Sequence, residues 1–307
     1  MSSKPDPIAS ITPPFKAEPM TDLATTDAAA LAALKVAVLL PCYNEERTIA
    51  DTIAGFRRSL PSAAIYVYDN NSKDRTSEVA RAHGAIVRIE RRQGKGSVVR
   101  RMFADIEADV YVMADGDNTY DATCAPELIE TLFNENLDMV VGARAPTVDP
   151  EAYRRGHKFG NRMLTGVVAL IFGRTFVDML SGYRVFSRRF VKSFPALSAG
   201  FETETELTVH ALQLKMPVAE VQTRYGARPE GSTSKLSTYK DGIRILNTII
   251  ILFKEEKPLM FFSLIFGFFA LASMLVAVPI FIEYADTGLV PRLPTAVAAA
   301  STMTLAF

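Results

Sequence analysis

The stretch KVAVLLPCYNEE, Lys35–Glu46, decides the fold. An apolar run without alternation stops at Pro41 and gives way at once to polar residues. That is the pattern of a short strand buried on both faces and followed by a turn. AAIYVYD (63–69), AIVRIE (85–90), DVYVMAD (109–115) and DMVVGAR (138–144) repeat the theme. Helix-like segments lie between them, from Glu45 to Leu60, Asp74 to Ala82, Gly96 to Ala108 and Ala125 to Asn134. Strands alternating with helices predict an α/β fold, Rossmann-like, with a mainly parallel sheet and helices on both faces. Ligands of such sheets bind beyond the carboxyl ends of the strands. PCYNEE, DNNSKD and DGDNTYD each follow a strand, so three polar strand ends are expected at one crevice.

Composition narrows the function classes. The 307 residues carry 34 basic and 34 acidic side chains, so no global charge draws the chain to nucleic acid. Cys42 and Cys124 make no disulfide framework, and His83, His157 and His210 lack zinc spacing. Residues 1–34, rich in Pro, Ala, Ser, Thr and Asp, read as a flexible tail without the signature of a secretory signal. Residues 35–235 form the expected sheet domain.

The C-terminal part differs. In 236–257, Tyr239, Ile243, Leu246 and Ile250 share one helical face while Lys240, Arg244 and Asn247 fall elsewhere. Such an amphipathic helix lies at a membrane surface or packs on the main domain. Pro258–Ile282 has no charge over more than the roughly 20 residues that cross a bilayer, which predicts a transmembrane helix. A second apolar stretch, Pro294 to Phe307, is too short to span. It reads as an incomplete second arm, so 258–307 is a transmembrane helix or hairpin. Lys254 and Lys257 precede the span, whereas Glu283 and Asp286 follow it. The sheet domain is therefore expected on the cytoplasmic face of the cytoplasmic membrane.

Within VYVMADGDNTYD (110–121), two carboxylates close a buried run one residue apart. Holding Asp115 and Asp117 together costs free energy unless a cation or donors sit between them. A turn at Gly116 can aim both at one point, where Mg²⁺ or Mn²⁺ would take one or two carboxylates and fill its shell with water and phosphate oxygens. The plain alternative is a polar turn. In PCYNEERT, Asn44 can cap a helix starting at Glu45, with Glu46 in its first turn. In functional terms, Pro41, Tyr43 and Glu45 line a nucleotide pocket. Asp69 is placed to accept from a base N–H, and Asp74 to cap a helix. In RRQGKGSVVRR, Gly94, Lys95 and Gly96 form either a basic surface turn or an anion site at a helix start. The spacing is not that of a Walker loop, which disfavours ATP hydrolysis.

Together VAVLLPCYNEERTI, YVYDNNSKDRT, the Asp-x-Asp turn, GAR and SGYRVFSR resemble the GT-A glycosyltransferases of family 2. The tail is similar to that of the branch containing dolichol-phosphate mannose synthase and bacterial polyprenyl-phosphate glycosyltransferases. The resemblance implies a nucleotide-sugar donor (UDP- or GDP-linked), a Mg²⁺ or Mn²⁺ ion, inversion at the anomeric carbon and a polyisoprenyl phosphate acceptor in the membrane. By resemblance, Pro41, Tyr43, Glu45, Asp69 and Lys95 serve the donor, and Asp115, Gly116 and Asp117 hold metal and diphosphate. Arg144 would meet a phosphate, and Arg228, Ser234 and Lys235 would grip donor or acceptor phosphate. Two positions depart from the family: Asn70 stands where an acid is frequent, and Thr119 where Gln is.

A lipid phosphate is largely dianionic at neutral pH and needs no strong base. Catalysis then reduces to alignment and charge neutralisation, with Asp117 and Arg144 on the two sides. Asp178 is the acid expected nearest sugar and acceptor, ahead of Glu202, Glu204 and Glu206, whose plain reading is a solvated acidic helix start. Arg184 is expected to pair with an acid. Competing readings are transfer to a sugar hydroxyl in polysaccharide or glycolipid assembly, a non-catalytic nucleotide-binding membrane scaffold, and a nucleotidyltransferase. The chain lacks the Trp of processive synthases, and a scaffold has no need for the Asp115/Asp117 repulsion. A nucleotidyltransferase has no need for a membrane span. Homo-oligomerisation is left open.

Overall fold

The computed structural model describes residues 33–145, 164–171, 173, 176–198, 200, 202–226 and 238–307. Seven strands form one sheet in the order β3-β2-β1-β4-β6-β5-β7. They are β1 (Val36–Cys42), β2 (Ala64–Asp69), β3 (Ile86–Ile89), β4 (Val110–Met113), β5 (Met139–Arg144), β6 (Arg184–Ser187) and β7 (Val218–Thr223). The helices are α1 (Ile49–Ser59), α2 (Thr76–Ala82), α3 (Lys95–Asp105), α4 (Ala125–Asn134), α5 (Arg188–Ser193), α6 (Thr203–Gln213), α7 (Thr238–Glu256), α8 (Pro258–Thr287) and α9 (Leu293–Ala306).

β6 alone runs against its neighbours, pairing antiparallel with β4 and β5; the other pairs are parallel. The carboxyl ends of β1, β2, β4 and β5 therefore share one edge of the sheet. The reversed β6 starts at that edge, so the loop before it also arrives there. β6 and β7 went unseen in the sequence: one lies inside a motif read as a loop, and β7 carries Glu220 and Gln222.

Burial on both faces explains the apolar runs. Ala37, Leu39, Tyr111, Met113, Met139 and Val141 pack with Val99, Phe103, Phe190 and Leu207 in one core. The alternate residues Val38, Leu40, Val112 and Val140 are equally buried, facing the other side by the two-residue period of a strand.

α7 carries two apolar stripes. Ile245, Ile249 and Phe253 join the core of the sheet domain. Ile243, Leu246 and Ile250, the stripe picked out in the sequence, stay exposed. The helix thus packs on the domain and still presents an apolar face outward. α8 has a most apolar window of mean hydropathy 2.5 that is only 6% buried. A soluble core helix would be mostly covered; this one is long enough to span a bilayer and faces outward. α9 folds back on it, with Ser273 donating to the Ala299 carbonyl at 2.8 Å.

Candidate active site at the strand ends

The loops after β1 and β2 are laced together. Asn44 donates its N–H to Ser72 Oγ (2.9 Å) and accepts from the Lys73 N–H (2.7 Å). The Glu45 N–H donates to Thr76 Oγ1 (2.8 Å) and the Glu46 N–H to Asp74 (3.1 Å). Asn44 is not the expected helix cap. It sits at φ 53°, a left-handed turn that Asn tolerates, and α1 starts later, at Ile49. Asp74 accepts from the Thr76 N–H at 3.0 Å, just ahead of α2, as a cap would. Burial opposes its ionisation, but the bonds from Thr76 and Glu46 prevail and hold its pKa low.

Asp69 is buried, with one oxygen accepting from the Ser72 N–H (2.8 Å) and the other from Ser77 Oγ (2.5 Å). Asn70 uses its amide in both directions. It donates to the Glu90 and Arg92 carbonyls (2.9 and 2.8 Å) and accepts from the Gly94 N–H (2.7 Å). A carboxylate could not donate to two carbonyls. That is a structural reason for Asn at this position, and it ties the 90–94 loop to β2. Pro41 and Tyr43 are half-buried and Glu45 is buried on the same rim.

The Asp115-Gly116-Asp117 turn is tightly seated. A Cβ on Gly116 would come within 2.4 Å of Cys42 Sγ, so only glycine fits, and Thr48 Oγ1 donates to its carbonyl at 2.9 Å. Asp117 is buried and accepts from the hydroxyl and N–H of Thr119 (2.6 and 3.2 Å). Thr119, in the place where relatives were expected to carry Gln, thus orients Asp117. The Asp115 side chain is 30% exposed and accepts from Lys95 at 2.5 Å.

Lys95 is neither a surface turn nor an open anion site. Its side chain is 9% exposed and its ammonium lies between Asp115 and Glu204, 2.5 Å from each. Burial favours the neutral amine, but the two carboxylates overcome that and push the pKa up. Gly96 explains the approach of α6. A Cβ there would meet the Ser198 carbonyl at 2.1 Å and Thr203 Oγ1 at 2.6 Å.

On the other side, Arg144 at the end of β5 forms a two-pronged pair with Asp178, Nε to Oδ2 at 2.6 Å and Nη2 to Oδ1 at 2.8 Å. The guanidinium lies 5.5 Å from the Tyr225 ring centre. Glu220 on β7 accepts from the Val177 and Asp178 N–H groups (2.7 and 3.0 Å) and fixes that loop. Gly182 joins the two halves. Its N–H donates to Tyr120 Oη at 2.8 Å, and a Cβ there would lie 2.8 Å from Asp115 Oδ2.

Two expectations fail here. Arg184 forms no direct pair with an acid among the described residues. It is fully buried and donates to the Ser181 carbonyl and Thr208 Oγ1 (both 3.0 Å) and to the Met179 carbonyl. Burial pushes its pKa down to about 10, against the pull of Glu204 and Asp178. Nor is the acidic start of α6 solvated. Glu204 and Glu206 are both buried, and Glu206 accepts from the Leu197 and Ser198 N–H groups (2.6 and 2.9 Å). Glu204 and Glu220 are site residues that sequence reasoning undervalued. For Glu220, the signal was a lone charge inside a strand. Arg228, Ser234 and Lys235 lie outside the described residues.

The site thus combines a carboxylate turn, a clamped arginine and a rigid polar rim, all at one sheet edge. Residues 37–194 match the glycosyl transferase family 2 profile. The chain belongs to that family. It is 38% identical over 229 residues to glycosyltransferase AglJ of Haloferax volcanii, covering 74% of this chain and 75% of that one. It is 28% identical to a dolichyl-phosphate hexose transferase of the same organism, over 72% of this chain and 95% of that one. The fold is similar to that of Mycobacterium tuberculosis glucosyl-3-phosphoglycerate synthase, solved in complex with Mn²⁺, UDP-glucose and phosphoglyceric acid. The TM-score is 0.61 at 23% identity, covering 75% of this chain and 83% of that one. The dolichyl-phosphate relative supports placement in the dolichol-phosphate mannose synthase-like branch.

Proposed function

We propose that this glycosyltransferase moves a sugar from a UDP- or GDP-linked donor to a polyisoprenyl phosphate at the cytoplasmic membrane face, with inversion. The observation that carries the reading is the pairing of a braced Asp115/Asp117 turn with an outward-facing apolar helix on one chain. Residues 35–235 do the chemistry, 236–257 lie at the interface and 258–307 enter the bilayer.

The donor's nucleoside rests on the rim of Pro41, Tyr43, Glu45 and Asp69. Two carboxylates are hard oxygen donors of the type that Mg²⁺ and Mn²⁺ take. Thr119 orients one, and the other is partly exposed, so the residues present fit such an ion. When bound, the ion supplies charge neutralisation to the departing diphosphate. The acceptor phosphate oxygen forms its bond to the anomeric carbon as the bond to the diphosphate breaks, and the nucleoside diphosphate leaves. No proton needs removal from a dianionic phosphate, so no side chain is required as a base. Arg144 offers positive charge to a phosphate. Asp178, with both oxygens on Arg144, acts by aiming that guanidinium. Arg228, Ser234 and Lys235 remain assigned to phosphate.

The test is direct. Membranes containing the protein, given radiolabelled UDP- or GDP-sugars, polyprenyl phosphate and Mg²⁺, should form a mild-acid-labile glycolipid. Asp115→Ala should remove the activity. Absence of labelled lipid with every common donor would overturn the acceptor assignment, and undiminished turnover by Asp115→Ala would overturn the ion's role.

A further inference from the structure

Lys95 and Asp115 alone would make a neutral pair. The fold brings in a second carboxylate, Glu204, whose side chain is only 6% exposed. Burying it is costly, because Glu204 Oε2 has no hydrogen-bond partner among the described residues. The approach also demands glycine at position 96, where any Cβ would strike Ser198 and Thr203. A structural brace on Lys95 would not need this extra charge, since a neutral amide carbonyl could accept the same bond.

We infer that Glu204 is a positioning residue that shares the Lys95 ammonium with Asp115, so that the turn keeps enough negative charge to attract a divalent cation. The inference rests on the ion-binding reading of the turn given above. Lys95 then carries two carboxylates. These three groups together carry net negative charge, and Asp117 in the same turn adds to it. Glu204 also acts on the buried Arg184 guanidinium, so its loss would leave two cations less compensated behind the turn. Both effects have the same sign: removing the Glu204 charge repels a cation at Asp115 and Asp117. Gly182 leaves room for this arrangement, since a Cβ there would lie 2.8 Å from Asp115 Oδ2 and 3.1 Å from Lys95 Nζ.

The test is Mn²⁺ binding by the full chain in detergent micelles, read as free Mn²⁺ by electron paramagnetic resonance, with no sugar donor. Glu204→Gln should bind Mn²⁺ about tenfold more weakly than the parent, while Glu204→Asp, which keeps the charge, should stay within about threefold. Lys95→Met/Glu204→Gln should regain at least the parent affinity, a rescue that a purely structural role for Glu204 would not give. Thermal unfolding reports whether each variant is folded. Should Glu204→Gln not fold, Lys95→Met alone decides. Removal of the ammonium should tighten Mn²⁺ binding about tenfold, and unchanged or weaker binding overturns the inference. Equal affinity of the folded Glu204→Gln variant and the parent overturns it too, even while Asp115→Ala abolishes binding. If the parent binds no Mn²⁺, the ion-binding reading of the turn fails first and takes this inference with it.

Discussion

α6 buries every side chain from Thr203 to Ala211, acids included, whereas α8 fully buries only Ser273 and Ile280 across 30 residues. By composition the two should be reversed. α6 is stable inside because each charge meets a specific counterpart: Lys95 for Glu204, and the Leu197 and Ser198 N–H groups for Glu206. α8 has no such partners to find, and its exposed Phe268 and Leu271 gain nothing from water. Polarity alone therefore does not assign a helix to core or surface. Its surroundings do, through paired charge in one case and, in the proposed function, an apolar solvent in the other.

The comparison breaks most visibly at α8. Phe268→Arg with Leu271→Arg should cost about 2.5–3.5 kcal/mol per site in a bilayer and release the protein from carbonate-washed membranes. If α8 instead lay in water, the double variant would fractionate unchanged. Next comes Glu206→Ala, which leaves two backbone donors, Leu197 and Ser198 N–H, unpaired in the loop before α6. A loss of about 2–4 kcal/mol is expected, seen as a lower Tm at unchanged membrane retention. Gly96→Ala drives a methyl group into Ser198 and should cost about 1–3 kcal/mol through overpacking, separating α3 from α6. Its signature is weakened Mn²⁺ binding alongside the lower Tm, because Lys95 and Glu204 move apart.

The smallest effect concerns His210, also on α6. It is buried against Phe190 and Phe194, with Ser193 Oγ 3.0 Å from Nε2. Burial lowers its pKa below the usual 6.5, against Glu206 and Glu256. The unfolded chain thus binds a proton more readily than the folded one, so stability is full above that value and falls as pH drops below it. His210→Gln should remove that part of the pH dependence in unfolding scans between neutral and mildly acidic pH.

Much of the molecule was legible in order of residues. Apolar runs such as Lys35–Pro41 read as strands covered on both faces, and the polar residues directly after them gather at one edge of the sheet. Pro258–Ile282 declared itself by length and lack of charge. The Asp115/Asp117 turn stood out because adjacent like charges are costly without a purpose. β6 and β7 escaped because a four-residue strand inside a loop motif, and one bearing Glu220, lack a clean period.

By itself, the sequence determined the alternation of strands and helices, the edge at which polar residues gather and the apolar span, since each follows from local patterns of hydrophobicity. Only tertiary structure decided that Lys95 meets Asp115 and Glu204 at once, that Asp178 clamps Arg144, and that α7 buries one apolar stripe while exposing another. These depend on side chains many residues apart meeting at a few ångströms. Charge pairing acts through distance in space, which spacing along the chain does not encode.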